Sequence, residues 1–213
     1  MFDFNGVLEA LKTDPKARGT AATGAAAGLA TGLLMGKGGH KMFGTAAKYG
    51  ALAALGGIAY QAWQRSQAGQ SATPAADPPL PPDQTAFLPP PDDAAANHAL
   101  GQSLLRAIIA AAKADGRIDA DENRRIFARM ESMNLDADCK AFVFDELSSP
   151  LNLDAVVAGA DTPEHAAEIY AASLVAIEAD TPAEKGYLTM LAGRLGLAQE
   201  LVTELHRAAA ERA

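Results

Sequence analysis

The sequence predicts an all-α fold, on three observations. Cap signals punctuate its second half: Asp119 with Glu122, Thr162-Pro163, and Thr181-Pro182 with Glu184. Apolar residues between them recur at helical spacing, as in Leu100, Leu104, Leu105, Ile108, Ile109 and Ala112, and no stretch there alternates as a strand would. Thr20–Gly36 carries no charge, and Gly24, Gly28, Gly32 and Gly36 fall four apart, on one face of a helix.

Composition divides the chain into residues 1–65, 66–91 and 92–213. Residues 1–18 form an amphipathic lead, with Phe2, Phe4, Val7, Leu8 and Leu11 among polar positions, and do not read as a secretory signal. Residues 19–65 are apolar and rich in Gly and Ala. In water each helical glycine costs roughly 1 kcal/mol against alanine. In lipid the same stripe lets a second helix approach closely. The stripe therefore reads as a glycine zipper. Thr20–Gly36 would be about 26 Å of helix, against about 30 Å for a hydrocarbon core. Lys37-Gly-Gly-His-Lys41 breaks the run, and Phe43–Trp63 forms a second one. Lys48 interrupts it where its stem can snorkel. Tyr60 and Trp63, before Arg65, read as an interfacial belt. Gly50, Ala53, Ala54 and Gly57 repeat the small-residue theme. A membrane hairpin over residues 20–63 follows, able to self-associate.

Residues 66–91 hold Pro74, Pro78, Pro79, Pro81, Pro82, Pro89, Pro90 and Pro91, which predicts an extended linker. Phe87 and Leu88 within it are read as bare linker rather than docked residues. Residues 92–213 are predicted to fold alone as a seven-helix domain. Ala94–Ala114 comes first, then a helix opened by the Asp119–Glu122 capping box with Ile126, Phe127 and Met130 on its apolar face. Asp136 caps Cys139–Leu147, and Asn152 caps a short helix ending at Gly159. Thr162-Pro163 opens a helix through Ala179, Thr181-Pro182-Ala-Glu184 opens another ended by Gly196, and Ala198–Ala210 is last.

The net charge of −8 argues against a general nucleic-acid binder. The acid surplus lies after residue 76 and the first 70 residues are net basic, which suits a membrane-proximal arm on an acidic domain. The single cysteine, Cys139, excludes an internal disulfide and sits in an apolar setting that reads as core. His98, His165 and His206 lack metal-ligand spacing, and no nucleophile elbow, P-loop or dinucleotide fingerprint occurs. No catalytic residue is predicted.

Two stretches look like copies. Ile108 to Glu122 runs through Ala114-Asp115-Gly116 and Asp119, and Leu174 to Glu184 runs through Ala179-Asp180. Each is an apolar helix ending in Ala-Asp, a turn, and a helix with Glu at its third position. A duplicated helical hairpin is implied. Asp115, Asp119, Glu122, Asp180 and Glu184 would then supply oxygens for a hard divalent cation such as Ca²⁺ or Mg²⁺. Asp115-Gly116 through Glu122 also matches the second half of an EF-hand loop, whose first half is missing. Capping alone accounts equally for Asp119, Glu122 and Glu184, and a turn for Asp115.

The stretch Lys113-Ala-Asp-Gly-Arg-Ile-Asp-Ala-Asp-Glu122 with its second Ala-Asp…Glu copy resembles the tellurite-resistance TerB-like α-helical domain, over about residues 97–211. The whole layout is similar to the YebE family of bacterial inner-membrane proteins. The resemblance implies a seven-helix domain with acids proposed to bind metal, and no enzymatic activity. Thr181-Pro182 departs from the Asp-Gly turn of the first copy. The expected role is a membrane-anchored interaction or sensing module, with the inner membrane and a protein as partners and the C-terminal domain in the cytoplasm. The rival is a metal-dependent hydrolase using Asp115, Asp119, Asp180 and Glu184.

Overall fold

A computed structural model describes residues 51–68, 86–90, 93–114, 137–177, 179 and 181–211. Among the described residues there are seven helices and no strand: α1 (Ala51–Ala68), α2 (Ala94–Ala112), α3 (Ala137–Ser148), α4 (Leu153–Val157), α5 (Pro163–Ala176), α6 (Pro182–Arg194) and α7 (Gln199–Ala210).

The caps set the starts. Asp93 accepts the Ala96 amide, Asn152 the Ala155 amide and Thr162 the His165 amide, each taking up a donor that the first turn leaves unpaired. Pro163 and Pro182 sit where no amide hydrogen is needed. Gly196 ends α6 at φ +66°, and the Leu197 amide reaches back to the Ala192 carbonyl at 3.1 Å. The expected starts at Thr162 and Thr181 and the stop at Gly196 are those observed.

α5 is the central helix. Every residue from Ala166 to Leu174 is buried, because α2, α1, α7 and α6 all pack on it. Ala166, Ala167, Ala171 and Ala172 keep it thin enough to be surrounded. α2 is nearly as enclosed, burying Leu100, Leu104, Leu105, Ile108 and Ile109 together with Ala107, Ala110 and Ala111. The two run side by side in the same sense. Ser173 Oγ donates to the Ala107 carbonyl at 3.3 Å, and Gly159 lies between Ser103 and Ile169. The first helices of the two hairpin copies are thus aligned as a duplication would place them. α3 turns Cys139, Val143 and Leu147 inward, and Arg106 joins it to α2 by an ion pair to Glu146 at 2.7 Å and a guanidinium over the Phe142 ring. Cys139 is core, as its setting predicted.

α5 stops at Ala176, short of the expected Ala179. Residues 51–63 read from sequence as the second limb of a membrane hairpin, yet α1 lies across α5 and α7 with Leu55, Ile58, Ala59 and Ala62 buried among protein side chains. A surface of small and apolar residues fits another helix whether the surroundings are lipid or protein. Burying Leu55 and Ile58 contributes about 1.5–3 kcal/mol each. Among the described residues no helix is long and apolar enough to cross a membrane. Tyr60 and Trp63 meet the edge of Phe87, with ring centroids 5.5 and 5.8 Å apart. Phe87 is buried and part of the core, not bare linker. Arg65, also buried, forks onto the Glu211 carboxylate with both contacts at 3.0 Å, fastening α1 to the end of α7. The glycine stripe at 24–36, the helix expected after Asp119 and the Asp136 cap lie outside the described residues.

Gly159 tests this packing. A Cβ there would stand 2.7 Å from Ser103 Oγ and 2.9 Å from Ser103 Cβ, so the α4–α5 turn would have to lift from α2. Gly159→Ala is expected to destabilise the chain by about 1–3 kcal/mol in urea unfolding, with Gly193→Ala, which meets nothing, as the control.

Candidate functional site

Three places hold polar chemistry: the pole where α2 and α5 end, the centre of α5, and the opposite pole where α5 begins.

At the first pole Lys113 closes α2. Its Nζ donates to the carbonyls of Glu146 and Ser149, at the C-terminal end of α3. This is a cation on the negative end of a helix. Burial lowers the Lys113 pKa, and the charge of Glu146 opposes that. Lys113 therefore braces two helices. On the second copy Ala179 has φ +53°, a left-handed conformation that a Cβ makes costly. Beyond it the Thr181 hydroxyl accepts the Glu184 amide at 3.2 Å, and Glu184 Oε2 accepts the Thr181 amide and hydroxyl at 3.0 and 2.8 Å. Glu184 is buried and serves the capping box of α6. Of the five candidate ligands it is the one described. Asp115, Asp119, Glu122 and Asp180 lie outside the described residues. Among the described residues no group of three or more His, Cys, Asp or Glu is placed to hold a metal.

At the centre of α5 is a residue the sequence reading passed over. Glu168 is fully buried, and among the described residues neither carboxylate oxygen has a hydrogen-bond partner. Gly56 of α1 makes room for it: a Cβ there would be 3.0 Å from Glu168 Oε1 and 3.2 Å from Leu88. Burial pushes the Glu168 carboxyl well above the usual carboxylate range, and Glu164, one turn earlier, adds to the rise. The available signal was a lone acid within the otherwise uncharged run Ala166–Ala176. Two residues further along, the Tyr170 hydroxyl meets His206 Nε2 of α7 at 2.9 Å. Burial raises the Tyr170 pKa to about 12 and lowers that of His206, so a neutral imidazole accepting from the phenol fits both.

The opposite pole holds a groove of about 690 Å³ between the end of α1, the α4–α5 turn and the α6–α7 turn. Its apolar walls are Trp63, Val157, Leu195, Leu197 and Leu201. Two of the charged groups at its edge are engaged, Asp161 with His165, which lowers the Asp161 pKa, and Arg194 with Asp154; Glu200 also lines it. About 20 Å of α5 separates this groove from the Ala179 turn.

A family profile described as "Protein of unknown function (DUF533)" matches residues 19–209, most of the chain. No curated protein and no solved structure shows significant similarity to it.

Two substitutions test the Ala179–Glu184 turn. Thr181→Ala and Glu184→Ala should each cost about 1 kcal/mol, and together less than the sum, because they dismantle the same box. Ala179→Gly should stabilise by about 0.5–1 kcal/mol by relieving the left-handed alanine. Thermal melts of the single and double variants measure both.

Proposed function

The chain belongs to the DUF533 family, and we propose that it is a membrane-anchored, non-enzymatic interaction module built on a TerB-like helical domain. The observation that carries the reading is the groove at the start of α5. Trp63, Val157, Leu195, Leu197 and Leu201 line it, the ends of three elements form it, and Asp161 and Arg194 at its edge are each paired with another side chain. Such a surface suits a polypeptide segment better than a reacting small molecule, which needs uncommitted acids, bases or cations. The hydrolase alternative has less support. Lys113 is committed to helix carbonyls and Glu184 to a cap.

In this reading the anchor is the glycine stripe of residues 20–36 with the apolar run up to residue 50, and α1 joins it directly to the folded domain. Self-association would come from the same stripe. A sensing role would fall to Asp115, Asp119, Glu122 and Asp180, with Ca²⁺ or Mg²⁺ as the input. Its support is the register of α2 against α5, which brings the two helices preceding these acids to one pole.

Carbonate-washed membranes test the anchor. The full chain should remain in the inner-membrane pellet, and a chain beginning at residue 50 should move wholly to the supernatant. Retention of the shortened chain in the washed pellet would contradict the proposal.

A further inference from the structure

Glu168 is a fully buried carboxyl beneath Gly56 of α1 and Leu88, and among the described residues neither of its oxygens has a hydrogen-bond partner. Ionising it there would leave an unpaired charge in an apolar core, among the costliest arrangements a protein can hold. The residue cannot turn outward, because α5 is buried on every side. Its cover is α1, which packs on α5 and α7, with Leu88 beside Gly56. Gly56 also lets the α1 backbone sit close to Oε1, where an added Cβ would stand 3.0 Å away.

We propose that Glu168 is a proton-binding site that controls the seat of α1: the helix docks on α5 and α7 when Glu168 is protonated and lifts when it ionises. This rests on the packing of α1 and not on the membrane or docking roles proposed above. Lifting α1 uncovers the apolar faces of α5 and α7 beneath it and loosens the domain from the segment preceding residue 51.

Among the described residues the neighbouring charged and titratable groups are engaged elsewhere or repel the charge. On α5, Glu164 repels it, and His165 is paired with Asp161. α1 presents Tyr60, whose hydroxyl accepts the Gln64 amide, and Arg65, held by Glu211. Residues 86–90 carry no titratable side chain. From α7, Glu204 pairs with Arg207 and His206 meets Tyr170. From α2, Arg106 is held by Glu146, and from α6, Glu184 caps its own helix and Tyr187 meets Ser173.

The sign follows from linkage. The folded state holds the Glu168 proton more tightly than the unfolded chain, so the seat is intact below the ordinary value of 4.5. Its contribution is lost as pH rises through the higher folded value.

Trp63 reports the seat directly. It is the chain's only tryptophan, and it stands on α1 against Phe87. Its emission in the full chain should move to longer wavelength in one transition as pH is raised from about 5 to 10, with most far-UV ellipticity kept. Glu168→Gln should hold the short-wavelength emission throughout. Glu164→Gln, which removes the like charge, should shift the transition to lower pH. Should Glu168→Gln fail to fold by circular dichroism, Glu168→Met fills similar volume without a titratable group and must show the same pH independence. No transition in the unaltered chain, the same transition in the Glu168 variants, or parallel loss of all helix signal overturns the proposal.

Discussion

Everything in this domain depends on the enclosure of α5. A helix surrounded by α1, α2, α6 and α7 must be slim, which the alanines at 166, 167, 171 and 172 provide. It must also satisfy whatever polar groups it carries. Ser173 does so through the Ala107 carbonyl and the Tyr187 hydroxyl, and Tyr170 through His206. Glu168 does not. Three of the four surrounding helices, α2, α6 and α7, belong to the stretch that the caps delimit. The fourth wall, α1, comes from a stretch whose composition equally suits lipid.

That ambiguity explains what could and could not be read from the sequence. Caps are local: the hydroxyls of Thr162 and Thr181 and the amide of Asn152 bond within three residues, so the helix starts they mark were legible. The stop at Gly196 and the buried stripe of α2 were legible for the same reason. The partner of α1 was not. Leu55, Ile58, Ala59 and Ala62 make an apolar face, and nothing local states whether lipid or α5 will cover it. Phe87 was hidden by its prolines, because its burial comes from Tyr60 and Trp63 more than twenty residues away. The close approach at Gly56 uses the small-residue logic of a glycine zipper, but its neighbour is a buried carboxyl within the same domain.

The candidate site divides along the same line. Among the acids of the two hairpin copies, Glu184 was placed correctly on its helix, and its observed bonds are those of a capping box. Lys113, which the hairpin motif includes, braces α3 through its terminal carbonyls, a role that needs the tertiary fold to be seen. The groove is likewise a product of assembly: Trp63, Val157 and Leu197 come from three separate stretches and meet where α1, α4 and α6 end. Together these place a groove at one pole of α5, a left-handed and capped turn at the other, and a buried carboxyl between them.

The claim on which this account stands is that α1 belongs to the folded domain. Comparing urea unfolding of chains 50–213 and 92–213 tests it most directly. Loss of α1 strips cover from α5 and α7 and removes the Arg65–Glu211 fork, so the shorter chain should unfold at lower urea with a shallower slope, or lose its cooperative transition altogether. Equal midpoints and slopes for the two chains would contradict the account and return residues 51–68 to the anchor.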